Sequence, residues 1–429
     1  MKNAGTLLLI SMIGLILLFV ITMSNTVNTP LDMPQVDDKP EGVTLRFTSA
    51  WGGSDERAAI LQDLLSIFQE ENPDIKVLDG SMFGEDFLFS LKTDFASGNE
   101  PDVFGLWPGS DRNQLIQTGK IAPLGSVIES GGQWSERFDP LVWEEVQAQT
   151  QIYSVPFEVI FEGLFINQSI FENHHIPIPR DFDSLVSACR RLRVAGVIPI
   201  AYNSTPEGSF IYQNMILQIG GRTAVEHPFG PDGQVHPALI EAMEQMKVLY
   251  DQGAFPDTAF VIDDITRNQL FLQGEAAMIV QGSWFLDELA NSPVASEVTI
   301  IPFPAQEAEN TGKTIVYGIG NGNFHISRAA WEDPKRREAS IRLLKFLTGP
   351  QAVEYFQVQL GFAFSVEGEV VHMPSAQDLV AQSRVRVAPV DHFIDRGYWE
   401  NTIVKHFPSV LEGSMEARDV FEAKEGGDQ

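Results

Sequence analysis

From residue 43 onward, short apolar runs alternate with amphipathic stretches. Before residue 126 the pattern predicts strand, Gly-rich or polar turn and helix three times over. Residues 44–51 alternate Leu45, Phe47 and then Trp51, and Gly52-Gly53-Ser54-Asp55 follows. Over 56–70, Ala59, Ile60, Leu64, Ile67 and Phe68 recur at helical spacing, with Ser54 or Asp55 as N-cap and Asn72-Pro73 as the stop. Residues 74–78 predict a second strand. Residues 85–96 predict a second helix with Phe87, Leu88, Leu91 and Phe95 inward, and 101–107 a third strand closed by Pro108-Gly109-Ser110-Asp111. In open parallel sheets ligands bind beyond the carboxyl ends of the strands. Trp51 and Trp107 are large rings in loops at such ends, and are expected to wall a cleft.

The second half continues the pattern. Strands are expected at 163–167, 197–201, 276–280, 298–302, 314–317 and 324–327, and helices at 181–194, 210–219, 237–250, 264–272 and 334–347. Trp284 opens a helix after Gly282-Ser283, repeating the aromatic at a strand end. This predicts an α/β protein with mostly parallel sheets. Two lobes, each presenting aromatics at strand ends, would grip a ligand between them.

Composition narrows the function. A chain of 429 residues exceeds one compact core. Its formal net charge of −29 excludes general nucleic-acid binding and charge-driven docking on an anionic bilayer. The single cysteine, Cys189, excludes an intrachain disulfide and a Cys-based zinc site, and is expected to be a small buried side chain. Lys2 precedes an uncharged stretch, 7–23, which reads as an export segment. Its length falls between a signal-peptide core and the roughly 20 residues of a spanning helix, so a cleaved signal and a retained anchor both stand. Residues 24–42, with Pro30, Pro34 and Pro40, read as a flexible tether, which places the body outside the cytoplasm.

Several motifs are set aside. Gly318, Gly320 and Gly322 resemble a phosphate-cradling run, but a strand follows instead of a helix, so close backbone approach is expected there. Gly282-Ser283-Trp284 lacks the closing glycine of a nucleophile elbow. His174-His175 has no partner at metal spacing. No cofactor, metal or catalytic residue is expected.

Five stretches carry a family resemblance: 47–57 (FTSAWGGSDER), 98–111 (GNEPDVFGLWPGSD), 153–167 (YSVPFEVIFEGLFIN), 274–286 (GEAAMIVQGSWFL), and 316–327 with 339–350 (VYGIGNGNFHIS, ASIRLLKFLTGP). In order and spacing the chain resembles the extracellular solute-binding proteins of ABC importers, in the carbohydrate-binding family that includes maltose-binding protein. The resemblance implies a two-lobe fold with discontinuous lobes joined by a hinge of crossing strands. Lobe 1 would be 43–148 and 312–350, and lobe 2 would be 149–311 and 351–429. It also implies a carbohydrate site in the cleft, carried here by Trp51, Asp55, Trp107, Asp111, Phe157, Glu158, Gly282, Ser283, Trp284, Tyr317 and Gly318, with Asn203 a weaker match. It further implies a monomer that delivers its ligand to a membrane permease.

Elementary chemistry is consistent with this. A pyranose has apolar C–H faces and a rim of hydroxyls, which suit aromatic rings and carboxylates respectively. Phe157 replaces a tyrosine common among relatives, no cysteine follows the export segment, and residues after Phe364 match poorly. Asp55 reads equally as an N-cap. Only Arg57 and Arg112 are basic near these loops, which favours a neutral ligand over an anionic one. A glycosidase needs two carboxyl groups about 5–5.5 Å apart in a retaining mechanism, and no sequence feature sets such a pair. A non-sugar ligand, or presentation of ligand to a membrane sensor, remain the alternatives.

Overall fold

The computed structural model describes residues 42–422 apart from 54, 56, 139–142, 144, 145, 149, 357–362 and 365–372. The expected export segment and nearly all of the tether lie outside the described residues. Among the described residues no helix is long and apolar enough to cross a membrane.

The first sheet has five strands in the order Ile75–Asp79, Val43–Thr48, Val103–Gly105, Asn323–Ile326, Val155–Pro156. The first three run parallel and the last two pair antiparallel. The predicted strand–turn–helix units form this sheet, with small differences. Helix Ala58–Glu71 buries Leu61, Leu64, Leu65 and Phe68, so its inward face is rotated from the expected one and Ala59 is exposed. Its N-cap position is Arg57, with no side-chain cap hydrogen bond, so Asp55 is not the N-cap.

The second sheet is mixed, correcting the expectation of mostly parallel sheets. Strand Glu158–Asn167 is buried along all ten residues and runs antiparallel to Ala276–Gly282, Thr314–Ile319, Val298–Ile301 and Ala363–Phe364. Parallel pairs add Ile198–Ala201 and Val385–Val387 at the edges. Sequence patterning found only its second half, because Glu158 and Glu162 interrupt the apolar run. Helix Phe210–Glu226 kinks at Gly221 (φ 63°), the glycine pair where the helix was expected to end. Cys189 is buried in the second lobe's core.

Sheet membership changes twice within a few residues. Val155–Pro156 belongs to the first sheet and Glu158 onward to the second. Thr314–Ile319 belongs to the second and Asn323–Ile326 to the first. The two crossings pack on each other: Gly320 N donates to Glu158 O (3.0 Å), and Phe157 N to Gly322 O (2.7 Å). Helix Pro350–Phe356 shares the first sheet's core through Ala352, Val353 and Phe356, while residues from Ala376 to Phe421 pack with the second sheet.

Candidate functional site

A cavity of about 220 Å³ lies where the loops of both sheets meet the crossing strands. Asp55, Arg57, Phe83 and Trp107 face it from the first sheet. Glu158, Ile160, Glu162, Gly320 and Asn321 line it from the crossings. Phe210, Gln213, Trp284, Glu288 and the segment from Pro389 to Glu400 close it from the second.

Apolar surface is supplied by rings. Trp107 and Trp284 are half-buried, and Phe210 meets Trp284 edge-on with centroids 5.5 Å apart. A Cβ on Gly282 would lie 2.1 Å from two carbons of the Trp284 ring, so glycine there allows the ring to fold back over its own strand. Trp399 is buried and donates from Nε1 to Ser209 Oγ (3.0 Å). It begins a π-helical turn, Trp399–Val404, a wide turn frequent at functional sites, and Glu400 beside it also lines the cavity.

The polar floor is built around a buried cation. Arg57, 9% exposed, donates from Nε to Asp55 Oδ1 (2.8 Å), from Nη2 to Asp55 Oδ2 (2.7 Å), and from Nη1 to Glu158 Oε1 (2.6 Å). Gly322 N donates to Glu158 Oε2 (2.8 Å). Burial works against the Arg57 charge, but Asp55 and Glu158 outweigh it and hold the guanidinium above its ordinary range. Burial likewise pushes the Glu158 carboxyl up, against the pull of Arg57 and the Gly322 N–H. Gly320 and Gly322 are small because Glu158 lies against both: added Cβ atoms would sit 2.7 Å from its Oε2 and its Cβ respectively. The glycine run is thus the expected close backbone approach.

Glu162 lies further along the same strand. It is 2% exposed and accepts hydrogen bonds from Gln213 Nε2 and from Asn214 Nδ2 (2.7 Å). Burial pushes its carboxyl up to about 8. Gln213 also accepts from Val390 N (2.9 Å), which ties the floor to the segment closing the cavity. Burial, then the neighbouring charge of Glu207, raise the Glu288 carboxyl too.

The closing segment reaches the first lobe. Arg396 N donates to Ser110 Oγ (3.0 Å), and its guanidinium lies 5.9 Å from the Trp107 ring centroid and within 2.5 Å of Glu400 Oε1. Its Nε is 3.9 Å from Asp111.

Of the expected site residues, Asp55, Trp107, Glu158 and Trp284 line this cavity. Asp55 and Glu158 do so with carboxylates already committed to Arg57. The other eight do not line it. Trp51 is 1% exposed, packed against Phe324 and Phe356 in the first core. Phe157 is buried beside the same Phe356. Asp111 pairs with Lys92 (2.6 Å). Asn203 is fully buried and braces its own loop, donating to Asp264 Oδ1 (3.0 Å) and Ile262 O (3.2 Å). Ser283 is buried, and its N donates to Phe161 O (2.8 Å). Tyr317 lies under Arg386, 4.7 Å from ring centroid to guanidinium. A Cβ on Gly318 would meet Pro389 at 2.9 Å. Gly282 acts through Trp284, as above.

Residues not anticipated are Glu162, Phe210, Gln213, Glu288, Arg396 and Trp399. One signal pointed to Glu162, an acid inside an otherwise apolar strand. No cluster of three His, Cys, Asp or Glu side chains able to hold a metal occurs among the described residues.

Comparison with known proteins agrees with this architecture. The sequence profile described as bacterial extracellular solute-binding protein matches residues 52–354. A multiple sugar-binding protein of Streptococcus mutans is 22% identical over 340 residues, 77% of each chain. Among solved structures, a chitin oligosaccharide binding protein superimposes with TM-score 0.78 at 19% identity, covering 89% of this chain and 97% of that one. An ABC substrate-binding protein from Listeria monocytogenes in complex with cycloalternan gives TM-score 0.72 at 18% identity, covering 90% and 97%. With the profile spanning well over half of the chain, this protein belongs to the bacterial extracellular solute-binding proteins.

Proposed function

We propose that the protein captures a sugar or oligosaccharide between its lobes outside the cytoplasm and hands it to an ABC permease. The observation that carries this reading is the cavity itself. Half-buried Trp107 from one lobe and Trp284 with Phe210 from the other face one space, floored by amides and carboxylates from the crossing strands. Such surfaces suit the C–H faces and hydroxyl rim of a pyranose. The Streptococcus relative's name and the Listeria complex support a carbohydrate ligand. The lobes are proposed as 43–156 with 323–356, and 158–319 with the chain from 363, following sheet and core membership. Closure about the two crossings would be driven by contacts the ligand makes with both lobes at once. A shift from 1:99 to 99:1 requires about 5.5 kcal/mol of preference for the closed state. The protein is proposed to act as a monomer, exported and retained by residues 1–23, and to bind rather than transform its ligand.

Thermal unfolding against mono- and oligosaccharides, polyols and phosphorylated sugars tests this. A ligand at 100 times its Kd adds about 2.7 kcal/mol of stability. The expected result is stabilisation by a neutral sugar, lost in Trp284→Ala. Stabilisation by phosphorylated compounds alone would overturn the neutral-sugar reading. Silence across the panel would favour a non-sugar ligand.

A further inference from the structure

Beyond the cavity walled by Trp107 and Trp284 a second space opens, of about 490 Å³. Phe83, Glu207, Asn268 and Glu288 line both, so the two adjoin at a rim built from four separate segments. Contacts within the protein hold that rim. Phe83 bridges to Trp51 through the backbone, and Arg267, 1% exposed, donates from Nη2 to Glu207 Oε2 (2.9 Å) and to Asn268 Oδ1 (2.8 Å). The segment from Pro389 to Glu400 lines the inner cavity and not the outer one. Arg396 N donates to Ser110 Oγ there (3.0 Å), so the inner space is shut on that side.

One helix face walls the outer space. Ile265, Asn268, Gln269, Leu272 and Gln273 all line it, at the i, i+3, i+4, i+7, i+8 spacing of a helical stripe, on helix Asp264–Leu272 and its C-cap. At 1.5 Å per residue this stripe runs about 12 Å. Its outer members lie open: Ile265 is 62% exposed, and Phe83, arriving from the first sheet, is 37% exposed. Asn291, Ser292 and Pro293 face the same space from the turn after helix Phe285–Ala290. Ser292 Oγ is buried and has no hydrogen-bond partner. Among the described residues no lysine, arginine or histidine lines the outer space. Its Asp264 already accepts from Asn203 Nδ2 (3.0 Å) and Thr205 Oγ1 (2.6 Å). An anionic ligand would therefore meet carboxylates and no cation, whereas amides and a hydroxyl set among apolar groups suit an uncharged, hydroxyl-rich one.

At about 220 Å³ the inner cavity falls below the roughly 300–1,000 Å³ of small-molecule sites, and with the outer space it falls inside that range. We propose that the ligand is an uncharged linear oligosaccharide longer than a disaccharide, which extends past Phe83 along the Ile265–Gln273 face. The proposal rests on the sugar-binding reading of the inner cavity. One end of the sugar lies between Trp107 and Trp284 and stops at the Arg396 side. Its further units set their C–H faces on Phe83 and Ile265, and their hydroxyls reach Gln269 and Ser292. Length is thus read at one end only, outside the tryptophan-walled space.

The test is calorimetric titration of the full chain with neutral sugars of one to six units: α-1,4- and β-1,4-linked glucose, β-1,4-linked xylose and β-1,4-linked N-acetylglucosamine. In at least one series the tetramer is expected to bind tenfold or more tighter than the dimer, a difference of about 1.4 kcal/mol. That gain should vanish in the double variant Ile265→Ala with Gln269→Ala, while the dimer's Kd stays as in wild type. Both side chains are exposed, so the fold is spared. A crystal structure with the tetramer should then show sugar rings on both sides of the Phe83–Glu288 rim. A tetramer that binds less than tenfold tighter than its shorter members, or a gain that survives the double variant, overturns the outer site and leaves the sugar-binding reading standing. If no sugar of any series binds, both readings fall.

Discussion

Replacing Trp51 separates a wall of the cleft from a pillar of the core. Its position at the end of a strand suggests a ring offered to ligand, yet the side chain is 1% exposed. It meets Phe324 edge-on at 5.5 Å and Phe356 at 4.9 Å, and Arg57 lies 5.6 Å from its ring centroid. Burying a tryptophan removes about 150–250 Å² from water, which at about 25 cal/mol/Å² is worth ~4–6 kcal/mol. Partial collapse of the site lowers the cost of truncation, so Trp51→Ala is expected to destabilise by about 3–5 kcal/mol. The assay is denaturant unfolding of wild type and variant, with sugar affinity measured calorimetrically where the variant is still folded. The expected result is a large fall in the unfolding midpoint with affinity changed by less than about tenfold, a coupling of under about 1.4 kcal/mol. A variant that unfolds at the wild-type midpoint but no longer binds sugar would return Trp51 to the cleft.

Other substitutions probe the crossings and the cleft. Trp107→Ala and Trp284→Ala should do the reverse of Trp51→Ala, weakening sugar binding by 1 kcal/mol or more each while sparing the unfolding midpoint, since both rings are half-buried. Gly322→Ala places a methyl group 2.7 Å from Glu158 Cβ and Trp51 Cζ2, and should cost about 1–3 kcal/mol in denaturant unfolding. Glu158→Gln removes one charged acceptor from Arg57 while Asp55 keeps its two contacts, so about 1.5–3 kcal/mol is expected, not the full cost of an orphaned buried cation. Glu162 has its folded-state value raised to about 8, so the native state holds a proton there that the unfolded chain releases above the ordinary range near 4.5. Its contribution to stability is therefore complete below about pH 4.5 and is lost as pH rises towards 8. Glu162→Gln should flatten that slope in unfolding measured across pH 4.5–8, and an unchanged slope would count against it.

The layout of the fold was legible in the sequence because its signals are local. The alternation of 44–51, the helical spacing of 56–70 and the glycine turns each encode one element within about fifteen residues. The long strand Glu158–Asn167 was half hidden, because Glu158 and Glu162 look like strand breakers until Arg57, Gly322, Gln213 and Asn214 arrive from distant segments to satisfy them. The same non-locality limits reading of the site. Trp51 and Trp107 have nearly the same local grammar, but Phe356 of a later helix covers the first, and the second is left beside Arg396. Asp55 and Glu158 were visible as acids, whereas their shared commitment to Arg57 depends on a contact between residues 101 apart. The cleft residues past Phe364 carried no motif, and only the fold brings Arg396 and Trp399 to the cavity.

The proposed function places the ligand in one cavity, walled by Trp107 and Trp284. A crystal structure of the protein with a stabilising sugar tests it most directly. The expected map has a pyranose ring stacked on Trp107 or Trp284, hydroxyls within hydrogen-bonding distance of Gln213 or Glu288, and Trp51 still sealed against Phe324 and Phe356. A sugar found against an uncovered Trp51, or bound away from both cleft tryptophans, would contradict it.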